Sequence, residues 1–85
     1  MTNQIKNIIE SKLVTSTAHV FDPQNDNTHF SAVVICDDFA NMNLVKQHQA
    51  VMNCLKEELK MQVHALQLKT FTPDKWEIEK SNYGF

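Results

Sequence analysis

The stretch Phe30-Ser31-Ala32-Val33-Val34-Ile35-Cys36 decides the fold. Successive residues of a strand face opposite ways, and here both sets are apolar: Phe30, Ala32 and Val34 on one side, Val33 and Ile35 on the other. A strand with two apolar faces belongs in the middle of a sheet. Just upstream, Asp22-Pro23-Gln24-Asn25-Asp26-Asn27 is turn chemistry without glycine, since Asp and Asn tolerate left-handed backbone and bond their own chain. Before the turn, Val14 to Phe21 is rich in β-branched residues and reads as a strand, so the two strands form a hairpin. Before that, Ile5, Ile8, Ile9 and Leu13 recur at helical spacing, which predicts an amphipathic helix over residues 2–13.

Downstream, the longest periodic segment covers residues 44–61. At about 100° per residue, Leu44, His48, Val51, Met52, Leu55 and Leu59 fall on one stripe, with Asn43 placed to cap the helix. Ala65-Leu66-Gln67-Leu68-Lys69 reads as a third strand. Thr72-Pro73-Asp74 then starts a helix: a cap, a proline at the first helical position, and an acid facing the dipole. Phe71 and Trp76 are spaced as a hydrophobic staple across that start. The expected order is α-β-β-α-β-α, an α+β fold with a three-stranded mixed sheet and helices on one face. Because a helix connects them, the second and third strands are expected to run parallel. Residues 1–80 read as a single domain and residues 81–85 as a loose tail.

Composition removes several function classes. The chain has 85 residues, enough for one modest core. Its one glycine is the penultimate residue, Gly84, so no phosphate-binding glycine loop of the P-loop or dinucleotide type exists. All 8 basic residues are lysines against 10 acids, a net charge of −2. Arginine is the side chain that clamps phosphates and reads guanine, and its absence argues against a dedicated nucleic-acid binder. Cys36 and Cys54 are far apart and fit no CxxC pattern. No signal peptide, transit peptide or membrane span is legible. A soluble, reduced, cytoplasmic protein is expected.

Four histidines remain as the richest source of chemistry. His48, mid-stripe, reads as a packed, hydrogen-bonded structural residue, and His19 as a half-buried strand residue. His29 stands where the hairpin loop meets the second strand, open to solvent or a partner. His64 lies between the long helix and the third strand, where a backbone-anchored imidazole can point outward; neutral imidazole is a good iron ligand. Cys36 and Cys54 read as inert small hydrophobes. Asp37-Asp38 and Glu57-Glu58 read as solvated surface. Lys46, Lys56 and Lys60 share a helix face that is either solubilising or a weak nucleic-acid surface.

Three segments together resemble the BolA-like family. Thr28-His29-Phe30-Ser31-Ala32-Val33-Val34-Ile35-Cys36-Asp37-Asp38-Phe39 resembles its hairpin strand, Leu44-Val45-Lys46-Gln47-His48-Gln49-Ala50-Val51 its helix, and Val63-His64-Ala65-Leu66-Gln67-Leu68-Lys69-Thr70-Phe71-Thr72-Pro73-Asp74-Lys75-Trp76 its terminal signature. The ending Asn82-Tyr83-Gly84-Phe85 is similar to the IbaG-type bacterial branch. The resemblance implies a class II KH-like fold and a non-enzymatic partner of monothiol glutaredoxins. It also implies a shared [2Fe-2S] cluster, with thiolates from glutaredoxin and glutathione. The signature histidine, here His64, would be one ligand, and a residue in or near the hairpin loop another. Residues 24–27 hold no Cys or His, which leaves His29 as the nearest second ligand. The family is also associated with DNA and with transcriptional control of stress and cell-envelope genes. Gln47 in place of a frequent arginine, and the missing Gly-x-x-Gly loop, weigh against that role here. The isolated chain is expected to carry no cluster and to be a monomer or weak homodimer.

Overall fold

The computed structural model describes residues 1–61 and 65–85. The elements are α1 (Thr2–Lys12), β1 (Ser16–Phe21), β2 (His29–Cys36), a 3₁₀ helix (Asp37–Asn41), α2 (Leu44–Cys54), α3 (Lys56–Met61), β3 (Ala65–Phe71), α4 (Pro73–Glu79) and a 3₁₀ turn (Lys80–Tyr83). The sheet order is β1-β2-β3, with β2 in the centre. β1 runs antiparallel to β2, with Ser16 opposite Cys36 and Phe21 opposite Ser31. β2 and β3 run parallel, from His29 opposite Ala65 to Ile35 opposite Phe71. The α+β class, the mixed sheet and the parallel crossover are those the sequence indicates.

The hairpin loop turns without glycine. Asn25 and Asn27 take the left-handed region, at φ 54° and 60°. The Asp22 carboxylate accepts from the backbone N–H of Asp26 (3.2 Å) and of Asn27 (3.0 Å). Those bonds satisfy donors that the tight turn would otherwise leave bare.

The main core lies under one face of the sheet, where Ile5 and Ile9 of α1 and Val51, Cys54 and Leu55 meet Ala18, Phe30, Val34 and Cys36, closed by Phe39. Each fully buried aliphatic or aromatic side chain there contributes about 1.5–3 kcal/mol. The outer edge of β1 is met by α1 at Ala18. Glu10 Oε2 accepts from the N–H of Ala18 at 2.9 Å, Lys6 Nζ donates to its carbonyl at 2.8 Å, and the two side chains pair at 2.7 Å. An ion pair on α1 thus occupies the outward backbone groups of Ala18 and hinders strand pairing at that point of the edge. Its Lys6 partner and the Ala18 N–H hold the Glu10 carboxyl below its ordinary pKa.

α1 and α2 lie on that face as expected, while α4 and the turn after it lie on the other. A central strand apolar on both sides needs cover on both, and Val33 and Ile35 are 3% and 7% exposed beneath this second layer. Phe71 and Trp76 form the staple with ring centroids 5.5 Å apart. Residues 81–85, read as a loose tail, fold back instead. Gly84 at φ 85° reverses the chain, and the Phe85 and His19 ring centroids lie 4.3 Å apart.

The single helix expected over residues 44–61 is two helices. Asn43 Oδ1 caps α2 by accepting from the Lys46 N–H at 2.9 Å. At the other end Lys12 Nζ donates to the Cys54 carbonyl at 3.0 Å, and Leu55 leaves helical backbone at φ −105°, ψ 16°. The break lets adjacent Cys54 and Leu55 both face inward. The first turn of α2 stays outside the core, with Leu44 and Val45 62% and 65% exposed. No described helix is long and apolar enough to cross a membrane.

Candidate metal-ligand site at the hairpin loop

Asp26 and His29 form a polar cluster at the exposed end of the hairpin loop. One oxygen of the Asp26 carboxylate, Oδ1, accepts from the backbone N–H of Thr28 (3.0 Å) and of His29 (3.1 Å). The other, Oδ2, lies 2.8 Å from Nδ1 of the His29 ring. The backbone N–H groups of Thr28 and His29, then the imidazole, hold the Asp26 carboxyl far below the usual carboxylate range. A charged carboxylate only accepts, so the proton of the neutral ring belongs on Nδ1. Nε2 keeps its lone pair, and the His29 side chain is 48% exposed.

Beside this ring β3 begins. His29 is in register with Ala65, and the Ala65 N–H donates to the Thr28 carbonyl at 3.2 Å. A cleft of about 260 Å³ lies between the loop and the strand, lined by Pro23, Gln24, His29, Ser31 and Gln67 among others. His64, the principal ligand expected from the sequence, lies outside the described residues. It immediately precedes Ala65 in the chain.

The other candidates fall elsewhere. Lys46 is on α2 and Lys56 and Lys60 on α3, all exposed. The break at Leu55 separates them, so they do not share one helix face as expected. Both cysteines are buried free thiols. Cys36 Sγ sits 3.2 Å from Thr15 Oγ1, and burial raises the Cys54 pKa. His48 is not in the core; it is half-buried on the wall of a groove with Leu44, Phe71, Glu79 and Tyr83. His19 is half-buried as read, stacked 5.6 Å from Trp76, and desolvation followed by nearby Lys6 lowers its pKa. Among the described residues no three His, Cys, Asp or Glu side chains gather as a metal site.

Two residues escaped the sequence reading. Asp26 reads from the sequence as a turn former, although the spacing Asp26-Asn27-Thr28-His29 is a legible signal for a carboxylate reaching a ring three residues on. Gln47 donates to the carbonyls of Phe39 (3.1 Å) and Met42 (3.0 Å) and accepts from the Thr70 hydroxyl at 2.7 Å, tying α2 to β3.

The sequence profile of BolA-like proteins matches residues 4–75. The chain belongs to the BolA-like family. It is 29% identical over 84 residues to the acid stress protein IbaG of Escherichia coli K12, covering 98% of this chain and 96% of that protein. It is 38% identical over 56 residues to the DNA-binding transcriptional regulator BolA of Haemophilus influenzae, covering 66% and 54% respectively. The chain thus spans about half the length of the BolA regulators it matches. The fold is similar to that of a BolA homologue from Coxiella burnetii, with a TM-score of 0.79, 37% identity, and coverage of 91% of this chain and 96% of that one.

Proposed function

We propose that this BolA-like protein is an adaptor that pairs with a monothiol glutaredoxin and completes, with imidazole, the ligand set of a [2Fe-2S] cluster. A two-iron cluster takes four ligands besides its bridging sulfides. In this reading glutaredoxin and its bound glutathione supply two thiolates, and His64 and His29 supply two nitrogens. The observation that carries the reading is the pairing of His29 with Ala65, the residue after His64, combined with an Nε2 that points away from the Asp26 carboxylate. The donor chemistry fits: this chain's own thiols are buried in the core, so sulfur ligands come from the partner. Imidazole in place of thiolate makes a cluster less negative and raises its potential, as in Rieske centres. Such a shared cluster suits iron–sulfur trafficking or iron- and stress-linked regulation, in keeping with a relative named for acid stress.

The test is the absorption and visible circular dichroism of the complex reconstituted with a monothiol glutaredoxin. Wild type is expected to give a coloured heterocomplex whose spectrum changes in His64→Ala and, separately, in His29→Ala. An unchanged spectrum in both variants would refute imidazole ligation.

A second reading, a DNA-binding regulator, draws on the name of the Haemophilus relative. Three lysines divided between two helices, with no arginine anywhere in the chain, support it poorly.

A further inference from the structure

We propose that Asp26 is the positioning residue of His29: its carboxylate fixes the ring as the Nδ1–H tautomer and turns the Nε2 lone pair outward as an iron ligand. The inference rests on the reading of His29 as a ligand and adds the device that makes it one. As a turn former, Asp26 needs only Oδ1, which already accepts from the N–H groups of Thr28 and His29. Oδ2 accepts neither of those backbone bonds; at 2.8 Å it meets the ring nitrogen. The Thr28 hydroxyl lies 3.0 Å from the same nitrogen and could donate to it only if Nδ1 were bare. A bare Nδ1 would set its lone pair against a carboxylate oxygen, so the carboxylate decides the tautomer.

The carboxylate is itself held. Asp22 fixes the backbone of Asp26 and Asn27, and Asn25 and Asn27 stand at positive φ in a loop without glycine. The ring orientation therefore passes from Asp22 through Asp26 to His29 before any partner arrives. A carboxylate behind a ligating histidine is the common outer-shell arrangement of metal sites. It orients the ring, and its loss typically costs about 10–100-fold in metal affinity.

Two measurements test the proposal separately from the cluster reading. In the free chain at about pH 8, where an ordinary imidazole is neutral, long-range ¹H–¹⁵N correlation of the rings is expected to show His29 protonated on Nδ1. In Asp26→Ala the Nε2–H form should grow, with the remaining amide spectrum retained. Asp26→Asn, which keeps an acceptor for the two backbone donors, guards against a variant that merely loosens the loop. A wild-type His29 protonated on Nε2 overturns the proposal without reference to iron. In the glutaredoxin complex, Asp26→Ala is expected to shorten cluster retention by about 10–100-fold, and His29→Ala by at least as much. If His29→Ala leaves the cluster unchanged, the ligand reading of His29 falls whatever the tautomer. If His29→Ala changes it while Asp26→Ala matches wild type, the positioning role alone falls.

Discussion

Replacing Gln47 by alanine tests how β3, and with it the edge of the candidate site, is held against the helical layer. The half-buried amide makes three hydrogen bonds: to the Phe39 carbonyl at 3.1 Å, to the Met42 carbonyl at 3.0 Å, and from the Thr70 hydroxyl at 2.7 Å. At about 1 kcal/mol net per neutral bond, the three together stabilise the fold by about 3 kcal/mol. Alanine's better helix propensity returns a few tenths of a kcal/mol. Water reaching the two freed carbonyls returns some more. The expected loss is about 2–3 kcal/mol, which lowers Tm by roughly 8–24 °C in a domain of this size. Urea unfolding followed by far-ultraviolet circular dichroism measures it directly. A double-mutant cycle with Thr70→Val isolates the shortest bond, with an expected coupling of about 1 kcal/mol. A Gln47→Ala variant within about 0.5 kcal/mol of wild type, or one strictly additive with Thr70→Val, would show that the amide is a bystander.

Stability is expected to fall as pH drops below about 6.5, the pKa of an unperturbed histidine. Desolvation lowers the His19 pKa in the folded state, so the unfolded chain takes up the proton first. The contribution is complete above pH 7 and is lost as pH falls through the folded-state value. Urea midpoints at pH 7.5 and 5.5 should differ in wild type and converge in His19→Gln; Glu10 and Asp26, with lowered values of their own, act only at more acidic pH. The fluorescence of the sole tryptophan, Trp76, stacked on His19, should titrate over the same window, and a signal unaffected by His19→Gln would contradict the assignment. For duplex DNA, the divided lysines predict a shallow salt dependence. A log–log slope steeper than about −2, the equivalent of more than roughly two phosphate contacts, would favour the regulator reading if Lys46→Ala, Lys56→Ala and Lys60→Ala together flattened it.

Much of the fold was legible because its signals are local. The two apolar faces of Phe30 to Cys36 identify the central strand, although the sequence reading set every helix on one face and α4 covers the other. Asn43 caps its helix, and Phe71 meets Trp76, as their spacing indicates. What the sequence left hidden depends on groups far apart in the chain. The helix expected over residues 44–61 breaks where Lys12 reaches the Cys54 carbonyl, and periodicity carries no trace of a bond spanning 42 residues. The closing residues hold their place through rings that meet His19 on β1, a contact no tail composition announces. At the candidate site, His29 was readable as an exposed ring at a loop end. The direction of its lone pair depends on which Asp26 oxygen is left after the turn is made, and only distances show that.

The central claim, that nitrogen from this chain coordinates iron delivered by another protein, is open to a direct magnetic measurement. The glutaredoxin complex would be assembled with ¹⁵N confined to this chain's histidines, its cluster reduced by one electron, and its electron spin echo envelope recorded. The account predicts strong ¹⁵N hyperfine coupling from imidazole, replaced by the ¹⁴N pattern when the unlabelled chain is used. An envelope indifferent to the label would mean that sulfur from the partner, or another donor, fills every position on the iron.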